Sequence, residues 1–254
     1  MAIERADLAL KVLTVNAHKG FTIFNRKFML HELRDAIRAT EADVVFLQEV
    51  LGAHERHASR QTRWPSTSQY EFLADSIWSD FAYGRNAVYS HGHHGNALLS
   101  KYPIVSYENV DVSVDKFEKR GLLHSVLRPL GLGQDVHTIC VHLGLRARQR
   151  RAQLEALCRW IANEIPADSP LIVAGDFNDW NLHGQRFLSR SSELKEVFNE
   201  SRGRVARSFP ARFPVLRLDR IYVRNVAEYA PVVLKASRWG LLSDHAPLAA
   251  RISL

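Results

Sequence analysis

Cysteine is almost missing from this chain: Cys140 and Cys158 are the only two in 254 residues. One lies in an apolar run and one on a helical face, so neither a disulfide framework nor a metal-ligand spacing is available, and a reducing, cytoplasmic setting is expected. Long apolar runs are missing too. No uncharged stretch approaches the roughly 20 residues that a membrane helix needs, and residues 1–7 carry acids where a secretion signal would carry an apolar block. No Pro/Gly/Ser-rich linker, low-complexity tract or internal repeat divides the chain, so one domain over residues 1–254 is expected.

What is present is an apolar fraction of 46%, enough for a large core, and a net charge of +7. Such an excess of cations favours an anionic partner: a nucleic acid, an anionic phospholipid surface with peripheral membrane contact, or a phosphorylated metabolite. The densest basic run, Arg146, Arg148, Arg150 and Arg151, leads into a helix with the stripe Leu154, Leu157, Cys158, Ile161 and Ile165, and reads as a solvated helix start. Arg63 and Trp64 are candidates for a basic, aromatic-bearing rim.

Short apolar runs alternate with helical patterns, the order expected of α/β packing. Helices are predicted from Met29 to Ile37 and from Tyr70 to Trp78, while His91, His93 and His94 read as a loose loop. Several of the apolar runs end on a polar residue. The run from Leu171 delivers Asp176 and Asn178, which in an extended segment leave on one face and hold a water, a metal or a phosphate; a turn is the equally open alternative. Near the C-terminus, Ser243-Asp244-His245 offers an anionic metal ligand beside a side chain that titrates near neutral pH. Glu49 ends the run from Asp43, well placed for Mg²⁺, a hard cation that takes oxygen ligands. Asn16 ends the first run, His142 follows Val141, and Asp219 precedes an apolar strand. Arg120, before the strand-like 122–127, is a candidate phosphate-holding guanidinium.

Taken in order, Asn16, Glu49, His142, Asp176-x-Asn178, Asp219 and Asp244-His245 resemble the signature of the endonuclease/exonuclease/phosphatase family, and the runs 72–78, 92–96 and 213–219 resemble an uncharacterised bacterial branch of it. The resemblance implies a four-layered α/β sandwich of two mixed, mainly antiparallel sheets with flanking helices (DNase I-like). It implies that Asn16, Glu49 and Asp244 hold Mg²⁺, with Mn²⁺ as substitute, and that Asp176 and Asn178 position the attacking water. His142 and Asn96, the latter in a strand passing the active centre, would meet the phosphoryl oxygens. His245, oriented by Asp219, would act as base or as phosphate clamp. The expected function is a Mg²⁺-dependent phosphodiesterase acting on nucleic acid or phospholipid. A phosphomonoesterase and a catalytically silent binding module are the alternatives, and the complete polar set speaks against the latter.

Overall fold

The computed structural model describes residues 8–22, 27–234 and 239–254. The acidic opening, read above as lacking a leader, lies outside them. The strands are β1 (Ala9–Asn16), β2 (Val44–His54), β3 (Asp80–Tyr89), β4 (Gly92–Ser100), β5 (Ile104–Asp111), β6 (Gly121–Leu127), β7 (Val136–His142), β8 (Leu171–Asp176), β9 (Lys195–Glu196), β10 (Asp219–Arg224), β11 (Glu228–Val232) and β12 (Leu248–Ser253). The helices are α1 (Leu30–Arg38), α2 (Glu55–Ala58), α3 (Gln69–Ala74), α4 (Ala147–Glu164), α5 (His183–Ser192) and α6 (Val197–Arg202).

They form two six-stranded sheets, ordered β11-β12-β1-β2-β4-β3 and β5-β6-β7-β8-β10-β9. Each is mixed: β1 with β2 and β7 with β8 run parallel, and the other pairs antiparallel. Because successive side chains alternate between faces, each central strand feeds two cores. Val12, Phe46 and Leu98 meet Cys140, Ile172, Ala174 and Ile221 between the sheets. Leu13, Val45 and Leu47 turn outward onto α1 and α3. Ile139, Val141 and Val173 turn onto α4 and α5. Three apolar layers between four layers of structure result, which is the expected sandwich.

Three local expectations are corrected. The helix predicted to reach Trp78 stops at Ala74, because Asp75 takes a left-handed backbone with φ of 50°. The histidine tract is the turn and second strand of the β3–β4 hairpin: His93 pairs across to Ala53 and Val88, and His94 to Leu51 and Ala87. In the basic run, Arg148 and Arg151 are exposed but Arg150 is buried, its guanidinium donating to the Gly144 and Leu145 carbonyls and lying over the Trp180 ring. Among the described residues, no helix is long and apolar enough to cross a membrane.

Candidate active site

Strand register assembles the centre. Asp176, the last residue of β8, lies opposite His142 on β7 and opposite Asp219 on β10, so three neighbouring strands end with one chemical residue each in a single row. Gly175 allows the close approach. Its φ is 144°, and a Cβ there would sit 2.0 Å from the Val141 carbonyl oxygen, so any larger residue would drive β8 away from β7. The other sheet contributes Asn16 from β1 and Glu49 from a bulge in β2, where the pairing with β4 slips between Leu47 and Val50. Glu49 has a φ of 54°, a conformation that re-aims its carboxylate toward the facing sheet.

Asp176 Oδ2 is where the two sheets meet. The Asn16 amide donates to it at 3.4 Å, His142 Nε2 lies 3.6 Å away and His245 Nε2 3.9 Å away. His245 Nδ1 is 2.8 Å from Asp219 Oδ2, which fixes the imidazole so that its other nitrogen faces Asp176. Ser208 Oγ accepts from the Leu218 and Asp219 amides and holds the strand end that carries Asp219. Burial would lower the pKa of His245, but Asp219 outweighs it and raises the imidazole to about 10. Burial, aided by the nearby charges of Asp219 and Glu49, pushes Asp176 above the usual carboxylate range. Burial, with Arg120 nearby, keeps His142 neutral, well below its ordinary pKa.

Two adjacent residues that the sequence did not single out complete the picture. His18 and Lys19, in one 3₁₀ turn with φ of 43° and 56°, reach different carboxylates. Lys19 Nζ lies 3.0 Å from Glu49 Oε2, and His18 Nδ1 lies 3.3 Å from Asp244 Oδ2. Burial opposes ionisation of Glu49, yet His142 and Lys19 together hold it far below the usual range; with His142 neutral, Lys19 is the cation responsible. The signal was the spacing Asn16-x-His18-Lys19, two basic residue types shortly after a strand-end asparagine.

Four expected roles need correction. Asn178 does not share a strand face with Asp176: its φ is 49°, its backbone N–H donates to Asp176 Oδ1 at 2.9 Å, and its amide donates to the Leu143 carbonyl. It closes an Asx turn that aims the aspartate, so the turn alternative describes its geometry. Asn96 is fully buried and donates to the carbonyls of Gly121 and Cys140, tying β4 to the facing sheet, and so has no free N–H for a phosphoryl oxygen. The Arg120 guanidinium is near the centre but is taken up by Glu118, at 2.7 Å, and by the Leu143 carbonyl. The expected metal residues stand at the same centre, Glu49 Oε1 4.0 Å from His142 Nε2 and the Asn16 amide on Asp176 Oδ2. Among the described residues, the group of three acids or histidines with ligand atoms all within 4.8 Å is Asp176, Asp219 and His245. Arg63 and Trp64 form no rim: Arg63 pairs with Glu32, and Trp64 stacks on Phe28.

A family description places this arrangement. The pattern of the endonuclease/exonuclease/phosphatase family matches residues 13–245. The chain belongs to that family. It is 56% identical, over the whole of both chains, to an uncharacterised protein YbhP of Escherichia coli K12, and equally to that of Shigella flexneri. Among solved structures, a family member from Bacteroides vulgatus matches with a TM-score of 0.73 at 18% identity, covering 97% of this chain and 99% of that one. D. rerio TDP2, crystallised with a single-strand DNA product, matches with 0.68 at 18% identity, covering 97% and 99%. Such distant identities establish the shared fold.

Proposed function

We propose that this protein is a divalent-metal-dependent phosphodiesterase in which Asp176 takes the proton of the attacking water and His245 clamps the phosphate. The observation that carries the reading is the convergence on Asp176 Oδ2 of groups from both sheets, with one of them, His245, locked to a buried aspartate.

The donor set fits Mg²⁺, with Mn²⁺ as a substitute. Glu49, Asp244 and the Asn16 amide oxygen are oxygen donors, as a hard cation requires. Glu49 would hold the ion, with Asn16 and Asp244 beside it. Bound there, it would supply Lewis-acid polarisation of a phosphate oxygen.

The remaining steps belong to the side chains. Asp176, held by the Asn178 amide and by Asn16, orients an attacking water and accepts its proton. An imidazole with a pKa near 10 carries its proton at neutral pH, so His245 works as an imidazolium against the phosphoryl oxygens, and the clamp role is favoured over the base role. His142, kept neutral, offers a further polar contact to the phosphate from the β7 end. The test is hydrolysis of bis-p-nitrophenyl phosphate with Mg²⁺ or Mn²⁺ and with chelator. Metal-dependent release of p-nitrophenol that falls about a hundredfold or more in Asp176→Asn, the scale of losing a positioned acid-base group, is expected. Equal rates in the variant, or in chelator, would overturn the reading.

A further inference from the structure

Five loops frame the mouth of the site, and each carries an exposed, large apolar side chain. Phe117 lies in the loop before β6 and is 87% exposed; Leu145 follows β7 and Trp180 follows β8. Phe213, 74% exposed, sits at the turn of the 208–217 excursion, and Leu241, 63% exposed, precedes Asp244. The last two loops are fixed to the centre: the Phe209 ring lies 5.1 Å from the His245 ring, and the Ala211 amide donates to the Asp244 carbonyl. They are also fixed to each other, with Gly240 packed against Arg212.

Cations accompany the apolar residues. Lys116 precedes Phe117, Arg146 follows Leu145 and Arg212 precedes Phe213, all exposed. Among the described residues none of these three lies within 4.0 Å of a carboxylate oxygen. The acids of the same loops have partners of their own: Glu118 is spent on Arg120, and Asp115 caps its own turn and takes the Gln149 amide.

We propose that this face docks on an anionic phospholipid bilayer and presents a lipid headgroup phosphodiester to the site. The inference rests on the phosphodiesterase reading and names its substrate class. A nucleic acid would be met by cations and stacking rings. Leu145 and Leu241 have no ring to stack, and exposed aliphatics beside unpaired cations suit the boundary between headgroups and acyl chains, where apolar area and charge are satisfied together. The net charge of +7 draws the whole chain toward such a surface.

The experiment is co-sedimentation of the full chain with vesicles of phosphatidylglycerol and phosphatidylcholine, compared with phosphatidylcholine alone. Wild type, Phe213→Asp, Phe213→Asp/Leu241→Asp and Leu130→Asp are measured, with thermal unfolding as a check on folding. Leu130 is 89% exposed but lies beyond the far ends of β6 and β7, away from His142, and serves as the control. Binding to the anionic vesicles that weakens about tenfold or more in the double variant, the scale of withdrawing two apolar side chains, and is unchanged in Leu130→Asp, is expected. No binding by wild type, equal binding by the double variant, or single-stranded DNA that displaces the vesicles and depends on the same residues would overturn the proposal. Hydrolysis of bis-p-nitrophenyl phosphate is followed in parallel and needs no membrane, so its loss would count against the phosphodiesterase reading and the loss of vesicle binding against this one.

Discussion

Glu49 and Asp176 approach the same imidazole nitrogen, His142 Nε2, from opposite sheets at 4.0 and 3.6 Å, yet they are held in opposite electrostatic conditions. Glu49 has its own cation, Lys19, and stays ionised. Asp176 is nearly inaccessible, faces Asp219 across the sheet, and is pushed toward its neutral form. Closing an apolar run therefore does not by itself decide what a carboxylate does. The Glu49 side holds a lasting negative charge, as suits a cation ligand, while the Asp176 side is poised to exchange a proton.

The strongest way to break this contrast is Asp176→Asn, for which the loss of about a hundredfold given above is expected, because the amide keeps the shape and removes proton acceptance. A smaller, pH-dependent effect is expected from Asp219→Asn. In the native protein His245 titrates near 10 against an ordinary 6.5, so the pair stabilises the fold fully below pH 6.5 and this stabilisation is lost as pH rises through 10. The variant should lose turnover by roughly ten- to a hundredfold and move the alkaline limb of its rate profile toward neutral pH. Its melting temperature should also fall less steeply than that of wild type between pH 7 and pH 10. Identical alkaline limbs would show that Asp219 does not set the proton on His245.

Much of this was readable in the chain because the relevant signals are local. Apolar runs ending on Asn16, His142 and Asp176 mark strand ends, the run ending on Glu49 marks the bulge inside β2, and the alternation of strand and helix marks the layered fold. Convergence was not local. That Asp176 faces both His142 and Asp219 depends on strand order and register, and in sequence order β9 separates β8 from β10. Asn96 misled for a physical reason: a polar residue inside an apolar strand looks like a site residue, but the core between two sheets also needs amides to satisfy carbonyls that meet across it. His18 and Lys19 escaped notice because their left-handed turn, rather than any strand or helix period, aims them at the centre. The exposed apolar rim depends on which loops share one end of the sandwich, which no residue pattern announces.

The Asn96 reading has its own consequence. Asn96→Ala removes both inter-sheet hydrogen bonds, to the Gly121 and Cys140 carbonyls, at a cost of about 1–3 kcal/mol in unfolding free energy measured by denaturant titration. Because the amide braces the sheets and has no N–H left for the phosphate, turnover of the small diester by the folded variant should fall far less than in Asp176→Asn. A loss of turnover as deep as that of Asp176→Asn, with unchanged stability, would return Asn96 to the substrate.

The smallest expected effect tests the Glu49 side. Lys19 is a third exposed, and its pairing with Glu49 across 3.0 Å is of the partly solvated kind, worth about 0–1 kcal/mol. Lys19→Met should therefore change the stability of the metal-free protein little. It should, however, remove a competitor for the Glu49 carboxylate, so that Mn²⁺, titrated with the free-ion paramagnetic signal as readout, binds a few-fold tighter, on the order of the 1 kcal/mol the pair is worth. An internal ammonium on a carboxylate proposed to hold the ion would keep the charge compensated until an ion arrives, and would lower affinity by what the ion must displace. Weaker binding in the variant would mean that Lys19 instead orients Glu49 for the ion, and the two halves of the site would then differ in burial alone.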